Sequence, residues 1–421
     1  MGGTANRGAD PGIKTNHRFK RYERSNSQVF KKKVLPALNS IHRFYAGYVP
    51  GKPVALDVSR YGKIIDRLAE AILSGELQPE ALDPELIDTI FDDIREQAQK
   101  GWGKDWTKWG EKAQADTVKM KMEENLYKFS GAKSYTQLVE INQLAQKYKN
   151  DYQGFKDQVQ VLNGQYNKNY LQAEFQTARQ AGHHAGQWQT FEADKDLFPN
   201  LKYRTVGDDR VREEHTVLEG TVKPLDDPFW SLYYPPNGWR CRCTAIQTAE
   251  KPTGKGNIPE DMVKPEFRTN VGKTGEVFKA DQGYFRIVHK TVSDRIENLF
   301  IERTSNEARE YAKTRYVEKQ VKFSHPELPA SFTLSNKDIK AIVSTPHKDQ
   351  VGRNYLVRNL KNDLREAEFM LSTEVGKEKA LYKRWFYLKS RSGDYYYNIA
   401  ELANGRLALR AITDTIKEKK Q

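Results

Sequence analysis

The chain has 421 residues, 38% of them hydrophobic and 30% charged, with 69 Lys and Arg against 56 Asp and Glu for a formal net charge of +13. That length gives room for two or three domains and a sizeable core, while the lack of any run of 18 apolar residues and of an apolar N-terminal core excludes a membrane-spanning helix and a secretory signal. Two cysteines exclude a disulfide framework and point to a reducing compartment.

Residues 1–28 are rich in Gly, Asn, Ser, Lys and Arg with few apolar residues, which predicts a disordered basic arm. The first 50 residues hold 10 Lys and Arg against 2 Asp and Glu, the C-terminal hundred is basic as well, and the middle is nearly neutral. The ends are therefore where a polyanion would be met, with ordinary solvated charge as the alternative for the arm. Residues 29–195 read as a helical region. A short interrupted helix is expected over Val34 to Val49; Ile64, Ile65, Leu68, Ala71 and Ile72 fall at helical spacing; so do Leu86, Ile87, Ile90, Phe91 and Ile94 after an Asp83-Pro84 start. Trp102, Trp106 and Trp109 are expected to share one helical face, used for packing. Tyr135 to Tyr148 and Phe155 to Trp188 continue the helical pattern, the latter broken only by glycines, and no internal repeat recurs.

From Tyr203 the pattern changes. Tyr203 to Val206 is β-branched and aromatic and predicts a strand, Gly207, Asp208 and Asp209 predict a turn, and Arg210 and Arg212 follow as cations. Leu218, Gly220 and Val222 suggest a second strand or hairpin arm, and Pro224 to Pro228 an irregular loop. Pro235, Pro236, Asn237 and Gly238 make a sharp turn before Trp239-Arg240-Cys241-Arg242-Cys243, where strand alternation puts Trp239, Cys241 and Cys243 on one face and Arg240 and Arg242 on the other.

The order of Asp208 or Asp209, Arg210, Arg212, His215, Gly220, Pro235-Pro236 and Arg240-Cys241-Arg242-Cys243 resembles the phage Mu F-like minor head protein family of tailed bacteriophages, with residues 196–250 as its core and a helix over 170–190 ahead of it. His184 stands where that family commonly has Asn. The resemblance implies a structural and morphogenesis factor of the phage or prophage head, made in the bacterial host cytoplasm, placed in the capsid interior of the virion, and partnered by portal and capsid proteins.

Residues 251–320 read as a Pro/Gly/Lys-rich linker followed by a spacer helix. Residues 321–421 then show short helical segments and strand-like runs at Arg384 to Lys389, Tyr395 to Ile399 and Leu407 to Ile412, separated by Gly393 and Asn404-Gly405. This order resembles the small phage nuclease domains grouped with barnase, EndoU, colicin and RelE. The fold class expected for the whole chain is α+β: a helical N-terminal region, a small head-protein core with short strands, and a separate C-terminal domain with an antiparallel sheet.

Two chemistries follow. His215, Cys241 and Cys243 offer three soft or borderline ligands for zinc, with His183 or His184 as a fourth; the alternative is buried thiols beside a hydrogen-bonding histidine, with no cofactor. In the C-terminal domain, metal-free RNA cleavage would use His347 as base or acid, Arg358, Lys383, Arg384 and Arg391 at the phosphate, and Tyr395 or Tyr397 for stacking or proton transfer; a degenerate, binding-only domain is the alternative. The expected function is a portal-associated minor capsid protein with a fused RNase-like domain acting on RNA or packaged DNA. The rival is a prophage toxin nuclease, with an immunity partner, delivered by a head-protein module.

Overall fold

The computed structural model describes residues 30–46, 58–78, 81–254, 258, 262–375 and 381–416. The expected basic arm, 1–28, lies outside them. The chain forms two compact units, one of Met1–Gly103 with Lys121–Ile296 and one of Lys104–Met120 with Glu297–Gln421. The mixed α+β class holds: helices dominate the first part and a four-stranded antiparallel sheet closes the second.

In the first unit, a π turn at Phe30–Val34 leads into α1 (Leu35–Ala46), so the expected interrupted helix starts earlier and runs on through Pro36. Helix α2 (Ser59–Ser74) buries Tyr61, Ile64, Ile65, Leu68 and Ile72 and is closed by Gly75 in the left-handed region at φ 78°. Helix α3 (Pro84–Trp102) starts as its sequence dictates. The Asp83 carboxylate accepts the Leu86 N–H at 2.8 Å, Pro84 occupies the first turn where no N–H is needed, and Leu86, Ile87, Ile90, Phe91 and Ile94 face the core.

The tryptophan stripe is not formed. Gly103, at φ 90°, caps α3, so Trp102 is the last residue of one helix, Trp106 sits on a 3-10 turn (Lys104–Thr107), and Trp109 lies in the loop beyond. Helical spacing cannot act across a residue that leaves the helical region.

Next come α4 (Ala113–Lys147), α5 (Tyr152–Gly164) and α6 (Leu171–Ala193). The long helical run is interrupted by a π turn at Gln165–Tyr170, which buries Tyr166, Asn167 and Tyr170, rather than by a glycine. Helices α3 and α6 cross with their backbones in contact: a Cβ on Gly101 would collide with the Arg179 carbonyl, and one on Gly182 with the Ala98 carbonyl. Behind α6 stands a small antiparallel sheet in the order β2-β1-β3, made of β1 (Asn200–Arg204), β2 (Val222–Pro224) and β3 (Thr244–Thr248). Tyr203 pairs with Ala245, and Leu201 with Lys223 and Gln247. The helices α7 (Glu213–Thr216) and α8 (Phe229–Tyr233) lie in the connections between the strands.

Residues 262–289, expected within the linker, pack as part of this unit. Val263, Phe267, Val271, Phe278 and Tyr284 are buried. The Asn125 side chain on α4 accepts the Val277 and Phe278 N–H groups at 2.9 and 2.8 Å, Phe129 stacks on Phe278 at 3.8 Å, and Gln189 on α6 donates to the Gly272 carbonyl at 2.8 Å. Two further short helices, α9 (Val271–Thr274) and α10 (Gly283–Ile287), carry Gly272 and Tyr284, and Val277 and Phe278 lie between them.

The longer segment of the second unit begins inside α11 (Lys290–Ala312), ahead of the expected boundary at residue 321. A two-stranded ribbon, β4 (Lys322–Phe323) with β5 (Phe332–Thr333), precedes helices α12 (Asn336–Ser344), α13 (Gln350–Leu356) and α14 (Leu360–Glu366). The sheet β6-β7-β8-β9 follows, from β6 (Glu368–Glu374), β7 (Tyr382–Lys389), β8 (Tyr396–Leu402) and β9 (Leu407–Thr413), all neighbours antiparallel. Phe386, Leu388, Tyr397, Ile399, Leu409 and Ile412 face a core shared with Ile339, Ile342, Leu360 and Leu364. The segment Lys104–Met120 joins this unit through Trp109, whose ring lies 4.3 Å from the Lys119 ammonium and 4.8 Å from the Arg358 guanidinium.

Candidate functional site

Strand β1 carries Tyr203 into the interior, and Gly207, in the left-handed region at φ 72°, turns the chain so that Asp208 meets Arg242. The carboxylate accepts two guanidinium N–H groups at 2.5 and 2.7 Å, a bidentate clamp between the first turn of the motif and its last residues. The Arg242 hydrogen bonds hold the Asp208 carboxyl well below the ordinary carboxylate range. Asp209 and Arg210 are exposed, Arg210 reaching back to Asp208 at 3.3 Å. Arg212, also exposed, donates to the Trp239 carbonyl at 2.6 Å and so ties the first segment to the last. Gly220, at φ 76°, sends its N–H to the Tyr203 carbonyl at 2.9 Å, fixing the return into β2.

Helix α7 is a single turn, and it buries His215 to 3% exposure. Pro235 and Pro236, joined by a cis peptide bond, are buried ahead of a tight turn in which the Cys241 N–H reaches the Gly238 carbonyl at 3.0 Å and Arg240 adopts φ 56°. The expected strand over Trp239 to Cys243 is therefore absent; strand pairing begins at Thr244. The inward and outward pattern survives by another route: Trp239, Cys241 and Cys243 are buried and Arg240 and Arg242 half-buried, because the turn, not a pleat, aims them.

The two sulfurs converge on one ring nitrogen. Cys243 Sγ lies 3.5 Å and Cys241 Sγ 3.8 Å from His215 Nδ1, and the three donor atoms all lie within 4.8 Å of one another. Cys243 beside it, together with backbone N–H groups, pulls the Cys241 thiol down to about 7, whereas its pairing with Cys241 and burial push the Cys243 thiol up. Tyr203, which the sequence placed only as a strand residue, belongs to this group. Its hydroxyl is buried beside Cys243 but has no partner in hydrogen-bonding geometry, and burial raises its ionisation far above the usual range. The signal was an inward position on β1, legible only once the strand register is known.

The expected fourth ligands are not brought in. Among the described residues the donor group is His215, Cys241 and Cys243 alone. His183 is exposed, and His184 is buried against the Tyr234 ring, its Nδ1 3.3 Å from Gln187 and its ionisation pushed down to about 3 by desolvation.

In the second unit the seven residues expected at a cleavage site fall into separate groups. The His347 side chain is 3% exposed; its Nδ1 accepts the Asp349 N–H at 3.0 Å, its Nε2 is 3.5 Å from Asp414, and its ring stacks on Tyr395 at 5.0 Å. Tyr395 donates to Asp349 at 2.7 Å, while Tyr397 donates to Asp363 in the core. Arg358 is held by Glu307 at 3.1 Å and lies over the Trp109 and Tyr355 rings. Arg384 pairs with Glu374 at 2.9 Å across β6 and β7, and Lys383 and Arg391 are exposed on the strand and the turn beyond it. His347 and Tyr395 thus share one polar cluster, and the arginines and Tyr397 lie in others.

Residues 116–246 match the family described as Phage Mu protein F like protein, and the His215, Pro235-Pro236 and Arg240 to Cys243 motif lies inside that range. This part of the chain is similar to Mu F-like proteins. Over 67 residues, 16% of this chain and 14% of the relative, the sequence is 46% identical to the putative capsid assembly protein F of Escherichia phage Mu. Over 134 residues, 28% of this chain and 31% of the relative, it is 29% identical to the Mu-like prophage FluMu F protein of Haemophilus influenzae. The chain spans less than a third of the length of either relative. No solved structure matches it. No helix among the described residues is long and apolar enough to cross a membrane.

Proposed function

We propose that the chain acts in assembly of a phage head, joining the capsid interior near the portal. The observation that carries this reading is the coincidence of the Mu F-like match over residues 116–246 with the half-buried Asp208–Arg242 clamp and the buried His215–Cys241–Cys243 group that fix the same segment. A phage or prophage carrying a deletion of this gene should form no heads or aberrant ones, and the protein should sediment with procapsids in gradient fractions of the intact phage. Recovery only as free protein, with normal heads in the deletion, overturns the reading. Cross-links to the portal in procapsids test the finer placement.

The second unit, in this proposal, binds a single-stranded nucleic acid and does not cut it. On the face of the sheet opposite the core stand Trp385 and Tyr387 on β7 and Tyr396 on β8, all half-buried, with Lys389 5.8 Å from the Tyr396 ring. Such a row of rings beside cations stacks bases and neutralises phosphates. Against cleavage by His347 stands its burial, since an acid or base must reach the proton it moves. The full chain is expected to bind single-stranded RNA or DNA with an affinity that falls steeply with salt, and Trp385→Ala to weaken it roughly 5- to 150-fold, the equivalent of about 1–3 kcal/mol for a stacked base. Salt-insensitive binding untouched by Trp385→Ala removes the surface, and RNA cleavage in EDTA abolished by His347→Ala restores the nuclease.

A further inference from the structure

We infer that His215, Cys241 and Cys243 form a zinc site that holds the motif segment together. The two sulfur–nitrogen separations are those of a coordination shell. With Zn–S near 2.3 Å and Zn–N near 2.0–2.1 Å, tetrahedral geometry separates sulfur from nitrogen by about 3.6 Å, and the two separations here are 3.5 and 3.8 Å.

Hydrogen bonding alone accounts for this arrangement less well. One imidazole nitrogen offers a single lone pair or a single N–H, so it satisfies one sulfur at a time, yet both sulfurs converge on Nδ1. A metal uses all three donors at once. Two thiolates and an imidazole are soft and borderline ligands that select zinc over calcium or magnesium.

The second observation is the Tyr203 hydroxyl. The side chain is wholly buried, the oxygen has no hydrogen-bond partner in good geometry, and it sits beside Cys243. A neutral thiol is a weak acceptor for this buried hydroxyl, and a metal-bound thiolate would be a stronger one. Tyr203 is then a positioning residue for Cys243, and both thiols release their protons when the metal binds.

The three ligands come from the α7 turn and from the turn after Gly238, segments also joined by the Arg212–Trp239 hydrogen bond and, just ahead of α7, by the Asp208–Arg242 clamp. Zinc would fasten these two segments to each other beside β1. The inference does not depend on the head-assembly reading.

Purified full-length chain should carry about one zinc by elemental analysis, and after exchange with cobalt(II) it should show thiolate-to-cobalt charge-transfer absorption. Cys241→Ser and Cys243→Ser should each abolish that band. Tyr203→Phe should keep the stoichiometry but weaken affinity by roughly 10–100-fold, as loss of a supporting hydrogen bond does. If the cysteine variants fail to fold, titrating the wild-type protein with a mercurial should release the zinc to a chromophoric chelator in step with the modification of two thiols. Folded wild-type protein that holds no metal as purified and develops no charge-transfer band in excess cobalt would overturn the inference.

Discussion

Lys133→Ala should lower the stability of the first unit by about 3–5 kcal/mol, because it strands a buried carboxylate. Lys133 on α4 and Glu174 on α6 are both wholly buried and paired. The ammonium also donates to the Tyr166 carbonyl at 2.9 Å, and Glu174 accepts the Tyr284 hydroxyl at 3.3 Å. Desolvation lowers the Lys133 ionisation, which shows how far this group is from water. The pair joins four elements, α4, α6, the π turn and α10, through one charge centre.

The loss in the single variant belongs mostly to the partner left behind, and a second variant shows it. Lys133→Met combined with Glu174→Leu should recover to within about 1 kcal/mol of the parent, or exceed it, because matched apolar groups carry no desolvation cost. Urea midpoints of the full chain, read by helix circular dichroism, give both values. A Lys133→Ala protein within about 1 kcal/mol of the parent means that water reaches the pair in solution.

Gly182→Ala should cost about 3 kcal/mol, although it adds a single methyl group and improves helix propensity. The new Cβ would strike the Ala98 carbonyl, and this is backbone on backbone, so no rotamer change relieves it. Helices α3 and α6 would have to separate, opening the packing around Ala98 and Ala178, both wholly buried. Gly164→Ala is the control. It lies at the end of α5 with helical dihedrals and nothing within 4 Å of the added atom, so the same substitution should raise stability by about 0.5–1 kcal/mol. Equal effects at the two positions would show that propensity, not close approach, governs both.

Much of this was local, and so legible in the sequence. Asp83-Pro84 and the apolar spacing after it placed α3, because capping and amphipathic burial act within a few residues. Gly393 and Asn404-Gly405 placed the turns of the C-terminal sheet, and the inward aim of Cys241 and Cys243 was right although strand alternation was not its cause. His215 and the two cysteines could be grouped by residue type alone.

What the tertiary structure decided were contacts between residues far apart in the chain. Spacing could not place Tyr203 beside Cys243, since that depends on β1 register and on the turn at Arg240. Nor could it separate Arg358, which looks like any exposed cation in one dimension, from the strand arginines; a stack on Trp109 from another stretch of chain holds it. Lys133 and Glu174, 41 residues apart, become a pair only because α4 and α6 pack. Periodicity reports which side of an element is dry. Which distant dry side it meets is set by the turns and close crossings between elements, and here that choice brought His215 to the two sulfurs and left His347 closed against Tyr395.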